Sequence, residues 1–249
     1  CTFWPRTAAM LSPYENEPGN RGMLFLDCDQ IYEYGRQAAV AGISLAVHAI
    51  GDRANREVLQ GYARLRQYED ENRLPHLRHR MEHVQVLHPD DLPWIARLGI
   101  TASMQPIHLP SDWQAANRNW GTRSECAFAF RSLLNSGTVL AFGSDAPVES
   151  PNPFWGIQAA VTRSTAEGNP AGGWYPDQKL TLPEAIKGFT TGAAFAAGYE
   201  NKLGRIMPGC LADLVMLPQD IFEDPLQELR SIEPLATMVN GVWVWQEND

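Results

Sequence analysis

"ISLAVHAIGDRANREVLQGYARLRQ", residues 43–67, decides the fold. Its first part, Ile43–Gly51, is a short run rich in strand-forming residues, and it ends on a glycine. The rest places Val58, Leu59, Tyr62 and Leu65 on one face at helical spacing, behind Asp52 as a helix cap. A strand followed directly by an amphipathic helix is a βα unit, which implies a parallel sheet.

Three more units follow. "LRHRMEHVQV" (77–86) reads as a strand and "HPDDLPWIARLG" (88–99) as its helix, with Pro89 early, Asp90 and Asp91 in the first turn and Gly99 at the end. "ITASMQP" (100–106) is the third strand, with a polar loop expected from about Ile107 to Arg123 and a helix between Ser124 and Gly137. "TVLAFGSD" (138–145) is the fourth strand, followed by a loop and the helix "PFWGIQAAVTRS" (153–164). Upstream, "DQIYEYGRQAAVAG" (29–42) is a helix ended by Gly42. Four units are too few for an eight-unit barrel, so the residues leave half a barrel or a smaller open sheet. Beyond them, Thr181 and Glu184 form a capping box, and the last fifty or so residues change texture. "LGRIMPGCLADLVML" and "LATMVNGVWVWQ" read as strands of a small sheet, the second turning at Asn240-Gly241.

The chain has 249 residues, 44% of them hydrophobic, and a formal charge of −9. That charge disfavours a nucleic-acid partner, which needs clustered Lys and Arg. No apolar run approaches the roughly 20 residues of a membrane span, and no signal pattern opens the chain. A soluble, cytoplasmic protein is expected. Cys1, Cys28, Cys126 and Cys210 form no C-x-x-C pair and read as buried free thiols.

His48, His83 and Asp145 share one feature: each falls at or near the C-terminal end of an expected strand. In parallel α/β architectures those ends converge on the functional face. Two imidazoles and a carboxylate suit a borderline cation such as Zn²⁺, which lowers the pKa of bound water toward about 7. Among the other histidines, His79 reads as structural, His88 as a cap or surface residue and His76 as a loop residue. His108, after a strand and before a loop, is placed for substrate contact. No phosphate loop or G-x-S-x-G elbow is present.

Taken together, "LAVHAIGDRA", "HRMEHVQV", "SMQPIH", "LAFGSDAPVESPNP", "GGWYPDQKLTLPEAI" and "GRIMPGCLADLVML" resemble the amidohydrolase superfamily. The match is to the YtcJ-like branch of metal-dependent hydrolases that includes N-substituted formamide deformylases. The resemblance implies an α/β fold: a partial (β/α)8 TIM barrel, about strands 5–8, over residues 1–200, and C-terminal strands of a small composite β-sandwich over 201–249. It implies one or two divalent metals, zinc foremost, held by His48, His83 and Asp145, with Asp145 also the general base. Arg6, Gln105 and His108 are implied to position a small amide-type substrate whose C–N bond is hydrolysed by metal-activated water.

The family's first-strand His-x-His pair and fourth-strand bridging Lys would lie upstream of Cys1. The chain therefore reads as part of a longer enzyme, or as one needing a partner such as a second copy. The alternative from another class is a catalytically inactive truncated homologue acting as a binding or assembly module.

Overall fold

The computed structural model describes residues 6–223 and 226–247. They divide into two compact units. The first runs to Met104 and resumes at Ser111–Leu140; the second takes Gln105–Pro110 and the described residues from Ala141 onward.

In the first unit the helix α1 (Cys28–Val40) precedes β1 (Ala46–Ala49) and α2 (Asp52–Glu71); β2 (Arg80–His83), α3 (Leu92–Arg97) and β3 (Thr101–Met104) complete the repeat. The strands are parallel and lie in chain order, with His48 opposite Glu82, Ala49 opposite His83 and Arg80 opposite Thr101. Val139, just before β4 (Leu140–Phe142), accepts from the Ala102 amide at 3.0 Å. All four residues of the expected α2 face, Val58, Leu59, Tyr62 and Leu65, are buried, each worth roughly 1.5–3 kcal/mol as a large side chain removed from water.

Three local expectations are corrected. The cap of α2 is Gly51, not Asp52. Asp52 is the first helical residue, and its carboxylate instead accepts from the Leu11 amide at 2.8 Å. Burial raises the Asp52 carboxyl above its usual range. The segment after β3 is not a loop: a 3₁₀ turn, Pro106–His108, leads into the helix α4 (Leu109–Trp120). Leu109, Ala116 and Trp120 repeat at helical spacing and are buried. The expected helix 124–137 is shorter, α5 (Phe130–Asn135), because residues 121–126 form a separate 3₁₀ turn.

In the second unit, α6 (Pro153–Thr162) starts at Asn152, whose side chain accepts from the Phe154 amide, and it packs on the Pro106–His108 turn. The Thr181–Glu184 capping box opens α7 (Leu182–Lys187), which passes through a π-helical turn into α8 (Ala193–Ala197). The antiparallel strands β5 (Leu214–Met216), β6 (Ala236–Val239) and β7 (Val242–Gln246) form a separate sheet. Asn240 and Gly241 both have positive φ, 49° and 79°, as the tight hairpin between β6 and β7 requires. Every residue of β7 is exposed.

Among the described residues, Cys28, Cys126 and Cys210 are free thiols and half-buried rather than buried. Cys1 lies outside the described residues. No described helix is long and apolar enough to cross a membrane.

Candidate functional site

β1 and β2 carry His48 and His83 to the same end of the sheet. Their rings meet edge to face, with centroids 4.4 Å apart and planes at 69°. His48 is exposed and His83 half-buried, so both rings face accessible space. Side chains of adjacent parallel strands share a face when their Cα positions are in register or offset by an even number. His48 and His83 are one place out of register. The main chain makes up the difference.

At His83 φ is 74°, and the Val84 amide donates to the Glu82 carbonyl at 3.1 Å. This is a γ-turn of the rare, strained kind, centred on the histidine. Val84 follows at φ 47°, an unfavourable conformation for a β-branched residue. Such conformations cost about 1–3 kcal/mol each and persist only where neighbours over-determine them. Here the neighbours do so: the Val86 amide donates to Ile50 at 2.9 Å and the Phe128 amide to Gln85 at 2.8 Å. The buried Asn55 amide nitrogen lies 2.9 Å from the Val86 carbonyl.

His79 is structural, as its sequence position suggests. Its buried Nδ1 accepts from the Leu45 amide at 3.0 Å, and Nε2 faces Glu69 Oε1 at 3.0 Å. Glu69 in turn binds Arg66 at 2.6 Å, and Tyr62 stacks on the ring. Burial holds the His79 imidazole below the usual histidine range, against the Glu69 hydrogen bond. His88 caps the turn before α3 by accepting from the Asp90 amide, and exposed His76 pairs with Asp70.

Arg6 sits at φ 54° with its guanidinium held by Glu17 and, at 3.1 Å, by Asn119 Oδ1. The structure thus anchors Arg6 within the first unit.

The second unit brings together His108 and Asp145. His108 Nε2 lies 3.4 Å from Asp145 Oδ2, and the ring is buried, whereas the carboxylate is partly exposed. Asp145 has φ 60° and closes a turn by accepting from the Val148 amide at 2.8 Å. Gln105, also buried, precedes the Pro106–His108 turn, and its carbonyl accepts from the His108 amide at 3.1 Å. The sequence reading did not single out Glu149, whose Oε1 lies 3.9 Å from His108 Nδ1. A lone carboxylate in a Pro-rich loop has no periodicity to reveal it.

The chain is therefore an α/β protein with a parallel sheet whose strand ends present imidazole donors, and whose second unit presents an imidazole between carboxylates. Residues 5–245 match the Amidohydrolase family, Amidohydro_3, and the chain belongs to it. It is 33% identical to the putative amidohydrolase YtcJ of Bacillus subtilis (strain 168), with 98% of this chain and 45% of that protein covered. It is 30% identical to the N-substituted formamide deformylase of Arthrobacter pascens, over 89% of this chain and 40% of that protein. A solved metal-dependent hydrolase from Pyrococcus furiosus superposes with a TM-score of 0.71 at 30% identity, covering 84% of this chain and 41% of its own. The chain thus spans less than half the length of these relatives.

Proposed function

We propose that this chain carries strands 5–8 of a (β/α)8 barrel and part of a small β-sandwich from a metal-dependent amidohydrolase that cleaves a C–N bond of the amide type. The observation that carries this reading is the edge-to-face meeting of His48 and His83 at adjacent parallel strand ends, in a chain of the Amidohydrolase family.

Two accessible imidazoles with a carboxylate form a donor set that fits a divalent ion of zinc's type. His48, His83 and Asp145 would hold it; when bound, such an ion acidifies water and polarises a carbonyl. Asp145 would accept the proton of the attacking water on its carboxylate and return it to the leaving nitrogen. Gln105, His108 and Arg6, the last held by Glu17 and Asn119, would orient the substrate. The likeness to an N-substituted formamide deformylase supports the C–N assignment.

The uncovered β7, with Val242, Trp243, Val244 and Trp245 exposed, favours a second reading as a binding or assembly module without turnover. One experiment tests both. The purified chain is loaded with Zn²⁺, its metal content measured after dialysis, and turnover of N-substituted formamides assayed. Retained zinc that is lost in His48→Ala and His83→Ala, together with turnover, supports the enzyme. A folded chain that retains no metal overturns it.

A further inference from the structure

The second unit holds an open, largely apolar cavity of about 670 Å³ between the start of α6, the π-helical turn after α7, and β5. Phe154, Ile157, Phe189, Leu214 and Ile221 line it.

The wall is built in advance. Phe189, on the π-helical turn Gly188–Gly192, meets the Phe142 ring with centroids 5.6 Å apart, and a Cβ on Gly156 would come within 2.6 Å of its Cζ atom. The ring is thus seated between β4 and α6. Gly204, at φ 84°, lets the chain pass so close to Thr190 that a Cβ would lie 2.8 Å from the Thr190 carbonyl oxygen. Turns of the π type occur frequently at functional sites.

Small-molecule sites occupy roughly 300–1,000 Å³ and combine an apolar wall with few polar groups. Two charged residues line this cavity, Arg205 and Asp213, both exposed and so at its rim. They differ in what they already hold. Asp213 Oδ1 accepts from the Asn240 amide at 2.7 Å, at the tip of the β6–β7 hairpin. Arg205 forms no ion pair or hydrogen bond with the described residues. Its guanidinium keeps its charge and presents a fork of N–H donors that matches a carboxylate. An apolar wall with one uncommitted cation at its rim fits a molecule with an apolar chain and an anionic head.

We propose that this cavity binds a medium-chain alkyl carboxylate, its head on Arg205 and its chain against Phe154, Ile157 and Phe189.

The test titrates the full chain by calorimetry with decanoate, kept below the concentration at which it forms micelles. One site per chain is expected, and affinity should fall roughly fourfold for each methylene removed in octanoate and hexanoate. R205Q should weaken decanoate roughly 10–100-fold and leave the affinity for uncharged 1-decanol unchanged. V215W, at an exposed β5 position that lines the cavity, should block both ligands. Circular dichroism checks that each variant folds, and the exposed position of Arg205 keeps one variant usable if V215W does not. A folded chain that takes up no decanoate overturns the proposal, as does an affinity that ignores chain length. Decanoate bound equally by R205Q and the unaltered chain overturns the assignment of its head to Arg205.

Discussion

The Asn55 side-chain nitrogen lies 2.9 Å from the Val86 carbonyl and 3.0 Å from the Gly51 carbonyl. One buried amide on α2 thus ties the turn after β1 to the turn after β2, the two turns that follow His48 and His83. Asn55→Ala takes the side-chain donor from the Val86 carbonyl, while the Gly51 carbonyl keeps the main-chain amide of residue 55, and should cost about 1–3 kcal/mol, read from urea unfolding. It should also weaken zinc retention by freeing the strained turn at His83. An unchanged unfolding midpoint would remove Asn55 from this role.

Stability should depend on pH through His79. Its Nδ1 accepts from Leu45, so the ring hydrogen sits on Nε2, toward Glu69, and the folded protein keeps the ring neutral. Burial lowers its folded pKa below the ordinary value of about 6.5. Below pH of about 6.5 the unfolded chain takes up a proton that the folded one refuses. This contribution is therefore complete above that pH and is lost as pH falls toward the depressed folded value. Unfolding free energies measured from pH 8 to 5 should fall less steeply in H79Q than in the unaltered chain; equal slopes would sink the assignment.

Gly51→Ala tests how closely the end of β1 approaches its neighbour. Gly51 has an ordinary φ of −78°, so strain is not the issue. A Cβ there would lie 2.0 Å from the Ala9 carbonyl oxygen, an oxygen that accepts from the Arg53 and Ala54 amides at the start of α2. Displacing it should destabilise the fold by about 1–3 kcal/mol. A melting temperature equal to that of the unaltered chain would show that Ala9 yields without cost.

Asp145→Asn keeps the shape and tolerates the positive φ at this position, but it cannot accept the proton. On an N-substituted formamide, turnover should drop by roughly 10²–10⁴ with the circular dichroism spectrum unchanged. Near-normal turnover would rule out Asp145 as the base.

The repeating βα units and the strand-end positions of His48, His83 and Asp145 were legible because they rest on periodicity and on apolar runs that end abruptly. The helix α4 was not. Its exposed face is dense with Gln, Asn and Arg, which suits a polar loop equally well, and Pro110 lies in its first turn, where proline is tolerated. Asp52 looked like a cap by residue type, but only the structure reveals Leu11 as its partner. Glu149 depends on a loop folding back toward His108, which no local pattern encodes. The left-handed backbone at His83, Val84 and Asp145 was equally hidden, since glycine is the usual advertisement for such positions.

The γ-turn at His83 also bears on how this site can drift. Among residues other than glycine, Asn, Asp and His are those that accept positive φ most readily. Position 83 is therefore filtered by its main chain before any ligand chemistry is selected. An exchange of His83 for Asp stays open to natural variation, whereas Glu or Cys, equally able to donate to a metal, would meet the resistance of the turn first.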